Sequence, residues 1–195
     1  MSTNRGKQFE DVIRDAFKEV PDTSVYRLYD TMGGFSSVAN VSDYIIYHYP
    51  YQYFVECKAI HKNTLSINSN DPKRKYGMIS NTQWEGMLEL SKIKGVYAGV
   101  ICWWVDVDIT RWLPIQVLDN LRNEGLKSIR YDTEADGIFS IDGQKKRVFF
   151  SYDMNRFFED VVQNEKVKWK LIDGHTYCSC DGGKTWMYVY PKDRF

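Results

Sequence analysis

The segment Val96–Val105 reads VYAGVICWWV, an apolar run with no charged side chain. Strands that are buried on both faces of a sheet carry such uninterrupted runs, whereas strands with one wet face alternate apolar and polar residues. Gly95 precedes the run and marks its start. The sequence therefore predicts a central strand here that is covered on both sides.

The elements before this strand predict a mixed α/β fold. Residues 5–19 place apolar side chains at helical spacing and are followed by a proline, so we predict an amphipathic helix. A strand-like segment covers Ser24–Asp30. Two further strands, Asp43–His48 and Tyr53–Ile60, form a β-hairpin whose turn holds the proline.

The segments that follow complete the predicted core. Residues 61–80 are polar and predict a loop, and Asn81–Ile93 predicts a helix with Thr82 as its N-cap. After the buried strand, Thr110–Leu113 predicts a short strand and Ile115–Asn123 a short helix. The order α-β-β-β-α-β indicates an α/β core with a mixed central sheet flanked by helices.

The length of 195 residues suits one core with a small appendage. We predict a core over residues 1–125, its continuation or strand and helix additions over 126–165, and a β-rich C-terminal hairpin extension over 166–195. In that extension, Ser179–Trp186 matches the S-x-D-x-G-x-T-W pattern of an Asp-box turn. A single copy cannot build a propeller, so we interpret it as a structural hairpin.

Composition excludes several classes of protein. Hydrophobic residues at 43% and charged residues at 27% are those of a folded domain rather than a disordered chain. No apolar run approaches the roughly 18 residues that cross a bilayer, and no signal peptide is evident, so we expect a cytosolic protein with no membrane partner. The cysteines and histidines lack zinc-site spacing. The formal net charge of zero does not by itself indicate nucleic-acid binding.

Three residues of the predicted hairpin carry the candidate chemistry. Because side chains alternate along a strand, Glu56 and Lys58 share one face, and the hairpin returns Asp43 towards the same place. Burying two carboxylates and an ammonium costs several kcal/mol per charge unless something compensates them. A bound Mg²⁺, for which Mn²⁺ can substitute, prefers oxygen ligands and bridges carboxylates to phosphates. The alternative interpretation is a solvated strand face, with Asp43 capping a turn.

Two further residues are candidates for supporting roles. Glu10 lies at the border of the apolar stripe of the first helix, and the alternative is a surface helix charge. Gln83, near the start of the next helix, is placed to contact a phosphate or a nucleophilic water, and the alternative is a helix-surface amide.

These residues, in this order, resemble the PD-(D/E)xK nucleases, and within them the RecU-type Holliday junction resolvases. Asn4–Glu10, NRGKQFE, is similar to the family's opening N-R-G-x-x-(F/L)-E. Ser42-Asp43 resembles its (T/S)-D pair, and Glu56-Cys57-Lys58 its E-x-K. The segment Ile79–Glu85 is similar to the stretch that opens the family's next helix. The resemblance covers about the first two-thirds of the chain.

The resemblance implies a restriction-endonuclease-like core and a homodimer that cuts two opposed strands of branched DNA with Mg²⁺. It assigns metal binding to Asp43 and Glu56 and a catalytic role to Lys58, with Glu10 and Ser42 as supporting active-site residues. The compact, embellished form favours a phage-encoded enzyme, which would work in the host cytosol.

One departure concerns DNA contact. RecU-type enzymes carry a long basic stalk before the catalytic Asp, whereas Thr31–Ser42 is glycine-rich and has no basic residue. We assign DNA contacts to a set of basic residues instead, with Tyr76 beside them; the alternative is a solvated loop. The set is Arg5, Lys62, Lys73, Arg74 and Lys75.

The leading hypothesis is thus a metal-dependent, structure-selective DNA endonuclease of the Holliday junction resolvase type, acting in recombination or repair. One alternative is a restriction-type or repair endonuclease that acts on duplex DNA. Another is a non-catalytic DNA-binding module on the same fold.

Overall fold

A computed structural model describes residues 5–28, 40–145, 150–166, 168–172, 175–179 and 183–188. The chain divides into two compact units, Met1–Asn155 and Arg156–Phe195. In chain order the elements before residue 155 are α1 (Arg5–Lys18), β1 (Thr23–Arg27), β2 (Tyr44–His48), β3 (Tyr51–Ile60), β4 (Thr64–Ser66), a 3-10 helix (Pro72–Arg74), α2 (Asn81–Leu90), β5 (Val96–Trp104), β6 (Ile109–Pro114), α3 (Ile115–Asn123), β7 (Ser128–Arg130), β8 (Phe139–Ser140), β9 (Gly143–Lys145) and β10 (Phe150–Tyr152).

The first unit is built on a mixed six-stranded sheet in the order β1-β2-β3-β5-β6-β8. The pairing of β3 with β5 is parallel, and the other neighbours are antiparallel. Because β5 lies in the middle, Ala98 to Trp104 are buried on both faces. The structure thus confirms both the predicted buried strand and the mixed α/β class.

Helix α1 covers one face of this sheet. Its apolar side chains recur on one stripe, and Phe9, Ile13 and Phe17 are almost fully buried. The ring of Phe9 lies 5.6 Å from that of Trp103 on β5. The predicted helix over residues 5–19 is confirmed, with its end at Lys18.

Helices α2 and α3 cover the opposite face. Trp84 and Met87 of α2 and Leu118 of α3 join one apolar cluster with Val100 and Cys102 of β5. The predicted helix over Ile115–Asn123 is confirmed to the residue. The layers therefore leave the hairpin of β2 and β3 between α1 on one side and α2 on the other.

The interpretation of residues 61–80 as a plain loop was wrong. Strand β4 lies within it and pairs antiparallel with β7. Leu65 and Ile67 are fully buried, and their burial holds this otherwise polar segment against the core. The prediction missed it because two apolar residues are too few to show a period.

The predicted boundaries of α2 also needed correction. Its N-cap is Ser80 rather than Thr82, and the helix ends at Leu90 rather than Ile93. The Ser80 hydroxyl accepts from the backbone N–H of Gln83, and the Gln83 side chain accepts from the backbone N–H of Ser80. This reciprocal capping box satisfies two polar groups that the first turn leaves without helical partners.

The central sheet extends beyond residue 125, because β8 pairs with β6 at its edge. Arg111 on β6 is 4% exposed and donates to the backbone carbonyls of Tyr131 and Thr133. Strands β9 and β10 form a separate antiparallel pair.

The second unit contains α4 (Asn155–Lys166) and a three-stranded antiparallel sheet of β11 (Lys168–Ile172), β12 (His175–Ser179) and β13 (Met187–Tyr188). Of the Asp-box segment, residues 180–182 lie outside the described residues. The Trp186 indole donates to the carbonyl of Gly183 at 3.0 Å. None of the helices among the described residues combines the length and apolarity that a bilayer crossing requires.

Candidate active site

Asp43 lies immediately before β2 and is fixed between two strands. Its backbone N–H donates to the carbonyl of Val55, and its carbonyl accepts from the N–H of Leu28. Its carboxylate oxygen Oδ2 accepts the backbone N–H of Cys57 at 2.8 Å. The hairpin therefore brings this side chain back to the middle of β3.

Glu56 and Lys58 lie on the same face of β3. The Lys58 Nζ and the Glu56 Oε1 are 2.6 Å apart. Glu56 is 1% exposed, whereas the side chain of Lys58 retains 24% exposure. The ion pair thus has its acid in the core and its ammonium reaching the surface.

Gln83, in the first turn of α2, contacts the same carboxylate of Glu56. Its Nε2 donates to the second oxygen of Glu56, Oε2, at 2.7 Å. Its Oε1 is held by the backbone N–H and the hydroxyl of Ser80. The first turn of α2 therefore fixes the rotamer of an amide that in turn fixes Glu56.

Burial changes the protonation of both acids. Desolvation raises the pKa of Glu56 to about 7, with repulsion from Asp43 adding to it and the charge of Lys58 opposing it. Desolvation also raises the pKa of Asp43, while the N–H of Cys57, the charge of Lys58 and a hydrogen bond from Glu56 act against the rise. Two neighbouring carboxyl groups in a buried site do not both ionise readily.

The pKa of Lys58 is raised as well, which for a lysine favours the charged form. Burial lowers the pKa of its ammonium, but the attraction and hydrogen bond of Glu56 and the charge of Asp43 outweigh that effect and leave the pKa raised. The ammonium is therefore charged at neutral pH. A permanent cation beside two adjustable acids defines the electrostatics of the site.

Glu10 of α1 is a third acid, close enough to Asp43 for their charges to interact. Desolvation and the nearby charge of Asp43 raise its pKa, and the charge of Arg27 opposes the rise. Arg27 on β1 donates to the Glu10 Oε2 at 2.6 Å. Sequence reasoning missed Arg27, because nothing local distinguishes it from any other strand arginine.

Gly86 was also missed. A Cβ at this position would lie 2.6 Å from Cγ1 of Val41, two residues before Asp43. The bare backbone thus lets α2 approach the segment that leads into Asp43. A glycine inside a helical pattern was the available signal.

Two residues named from the sequence make structural contacts. The Ser42 hydroxyl is buried and donates to the carbonyl of Tyr44, so it braces the backbone of the hairpin. Tyr76 is 6% exposed and stacks on Trp84 at 4.7 Å, which corrects its interpretation as a DNA contact.

The predicted DNA-contacting residues are exposed. Arg5 is the first residue of α1, and Lys62 follows β3. The basic cluster Lys73-Arg74-Lys75 lies on and just after the 3-10 helix, whose Pro72 carbonyl accepts from Asn81 Nδ2 at the start of α2. The cluster is thus tied to the end of α2 that carries Gln83.

The donors that the site offers are carboxylate oxygens. Among the described residues, no group of three His, Cys, Asp or Glu side chains converges as a ligand cluster. Mg²⁺ takes one or two carboxylates and fills the remaining positions with water and phosphate oxygens. Asp43 and Glu56, crowded and hard to ionise together, fit such an ion.

Comparisons with known proteins find weak similarity at the level of structure. No protein-family model and no curated protein sequence matches the chain. Among solved structures, the chain is similar to Hjc, a Holliday junction resolvase from the hyperthermophilic archaeon Archaeoglobus fulgidus. The identity is 16% and the TM-score 0.36, over 57% of this chain and 78% of that chain. Similarity at this level does not assign a family.

Proposed function

We propose that this protein is a metal-dependent DNA endonuclease with a restriction-endonuclease-like core and the PD-(D/E)xK active site. The observation that carries the proposal is the convergence of Asp43, Glu56 and Lys58 on one hairpin, with the pKa of both acids raised. Perturbed titratable groups that meet on one strand face are expensive to maintain for stability alone. A reaction that needs a cation and a phosphate explains all three.

Asp43 and Glu56 are the residues to hold Mg²⁺ or Mn²⁺, which when bound acidifies water and stabilises charge on the phosphate. The N–H of Cys57 and the amide of Gln83 orient the two carboxylates. Lys58 presents its ammonium to the developing negative charge on the phosphodiester. Glu10, held by Arg27, adds negative charge beside Asp43.

The substrate we propose is branched DNA, cut by a homodimer as in RecU-type Holliday junction resolvases. The support is the resemblance of three segments, around Glu10, Asp43 and Glu56, in the order that those enzymes have them. The exposed cluster Lys73-Arg74-Lys75, with Lys62 and Arg5, supplies phosphate contacts. A phage origin stays a prediction.

The decisive experiment incubates the purified protein with labelled four-way, Y-shaped and linear DNA, with and without Mg²⁺. We expect nicking of the branched substrates only when metal is present. Asp43→Asn and Glu56→Gln should abolish nicking yet bind DNA as well as or better than wild type, because a negative charge facing phosphate is removed. Glu89→Gln is the matched control, since Glu89 is an exposed α2 acid paired with Lys92.

Other outcomes point to other functions. Equal cutting of linear and four-way DNA contradicts the resolvase assignment and leaves the nuclease. Cleavage of plain duplex at defined sites indicates a restriction-type or repair enzyme. Junction binding without metal-dependent cleavage indicates a non-catalytic module, and unaltered nicking by Asp43→Asn removes the basis of the assignment.

A further inference from the structure

The face of the sheet that carries the candidate active site continues onto the two edge strands. Ile45 on β2 pairs with Phe54 on β3, and Phe54 is two residues from Glu56 on the same strand, so Ile45 lies on the Glu56 side of the sheet. Register pairs Ile45 with Tyr26 on β1, and Tyr47 on β2 with Ser24. Paired residues share a face, so Tyr26 and Tyr47 lie on the Glu56 side of the sheet.

This face is covered over its centre and open at its edge. On β3 and β5, Phe54 and Ala98 are 7% and 4% exposed beneath the helical layer. On β1 and β2, Tyr26 and Tyr47 are 65% and 46% exposed. We call the surface of Tyr26, Ile45 and Tyr47 the tyrosine face.

The tyrosine face begins close to the reacting groups. With strands about 4.8 Å apart and a rise of about 3.4 Å per residue, Tyr26 lies roughly 8 Å from Asp43, backbone to backbone. That separation equals two to three stacked nucleotides at about 3.4 Å each. A strand whose phosphate meets Asp43 and Glu56 is therefore long enough, within two to three nucleotides, to place its bases over these rings.

The chemistry of the face selects bases rather than phosphates. Its side chains, with the flanking Ser24 and Gln52, carry no formal charge, so the phosphate-binding attraction of the basic cluster is absent here. Tyrosine offers a flat π surface on which any base stacks. Bases inside a duplex are already stacked and paired, so only unpaired bases are available to it.

The face is too small for a stable protein partner. Two partly exposed tyrosines and Ile45 present on the order of 300 Å². A stable interface buries about 800 Å² on each partner. A second copy of this chain would therefore need much additional surface.

We propose that the tyrosine face stacks unpaired nucleobases of the branched substrate next to the phosphodiester that is cut. The proposal rests on the proposed nuclease function and adds a means of selecting branched over linear DNA. Each base stacked on a ring strengthens binding of substrates with unpaired bases, whereas a continuous duplex gains nothing.

The test uses a Tyr26→Ala/Tyr47→Ala double variant in an Asp43→Asn background, so that binding is read without cleavage. The probe is Y-shaped DNA with 2-aminopurine at an unpaired position beside the branch. The Asp43→Asn parent should quench the probe on binding, and the double variant should lose the quench and bind Y-shaped DNA at least tenfold more weakly. Affinity for linear duplex should be unchanged.

Two controls separate stacking from disruption. Tyr26→Phe/Tyr47→Phe retains the rings and should retain quench and affinity. Tyr49→Ala removes an exposed tyrosine of the β2–β3 turn, 77% exposed, and should leave both unchanged. Equal weakening on Y-shaped and linear DNA, an unchanged quench, or a change in sedimentation mass instead of DNA affinity would each overturn the proposal.

The proposed function fails separately. If wild type binds and quenches the Y-shaped probe but never cleaves it with Mg²⁺, the tyrosine face stands and the nuclease assignment falls. If wild type cleaves branched DNA while the double variant binds it normally, the nuclease stands and the stacking proposal falls.

Discussion

The Gln83 amide donates to the Glu56 carboxylate at 2.7 Å, and the same amide closes the capping box of α2. One side chain therefore caps the N-terminus of a helix and also orients a carboxylate on a strand. The N-terminus of α2 and the centre of β3 are coupled through it. Displacing that helix end would release Glu56 as well.

Gln83→Ala should lower the cleavage rate at least tenfold, because a hydrogen bond to a charged group contributes roughly 1.5–3 kcal/mol. Ser80→Ala is the matched control: it also breaks the cap, at about 1 kcal/mol, but leaves an amide to contact Glu56. We expect it to lower the unfolding free energy similarly and the rate less than about threefold. Denaturant unfolding and single-turnover cleavage measure the two quantities. Equal rate losses would mean that Gln83 acts only through helix stability.

Gly86→Ala should destabilise the protein although alanine is the better helix former. Helix propensity favours the change by about 1 kcal/mol, but the new methyl meets Val41 at 2.6 Å, and overpacking costs about 1–3 kcal/mol. Val41→Ala in the same chain should restore most of the loss. Urea unfolding of both single variants and the double variant forms a cycle that measures the coupling. A stabilising Gly86→Ala would show that the helix can move away at no cost.

The metal-free protein should lose stability as pH rises towards neutral. The pKa of Glu56 rises from an ordinary 4.5 to about 7 on folding, so between those values the folded state binds more protons than the unfolded state. The stabilisation is present below about pH 4.5 and lost through about pH 7, amounting to something on the order of 3 kcal/mol. Asp43 contributes in the same direction.

Glu56→Gln isolates this effect, because the amide does not titrate. The difference in unfolding free energy between wild type and Glu56→Gln should shift against wild type as pH rises from about 5 to about 7.5 in the presence of a chelator. Urea unfolding at several pH values measures it. A difference that is constant across the window would contradict the raised pKa.

Lys58→Ala should lower the cleavage rate at least a hundredfold, because the ammonium that faces the developing negative charge is lost. It should also raise the pKa of Glu56 further, because in the wild-type protein the charge of Lys58 lowers that pKa. Carboxyl-carbon NMR titration measures that pKa directly and does not depend on activity. Lys92→Ala, which removes an exposed α2 lysine paired with Glu89, is the control and should change neither quantity. An unshifted Glu56 titration in Lys58→Ala would show that the ammonium does not compensate the acid.

Much of the scaffold followed from local pattern. The apolar run of β5, the amphipathic stripe of α1 and the shared face of Glu56 and Lys58 on β3 depend only on neighbours in sequence, and the structure has all three. The N-cap was misplaced at Thr82 because both Ser and Thr are favoured N-cap residues, Ser somewhat more than Thr. Only the geometry of the first turn selects Ser80.

The contacts around the site could not be obtained in this way. Tyr76 is polar and aromatic, and its stacking on Trp84 depends on where the segment before α2 returns to the core. Ser42 has the residue type of a supporting group, yet its hydroxyl is used by the Tyr44 carbonyl. Residue type indicates what a side chain is able to do, and its neighbours decide which of those roles it takes.

The sequence by itself determined that Glu56 and Lys58 share a strand face and that a hairpin returns Asp43 to it, because strand periodicity and turn chemistry are local properties. Only the tertiary structure decided that Gln83 donates a hydrogen bond to Glu56 and that Arg27 donates one to Glu10. It also decided that the missing side chain of Gly86 leaves room for Val41. Those pairs join residues from different elements. Their contact depends on how helices and strands pack, a balance of burial and sterics summed over the whole core.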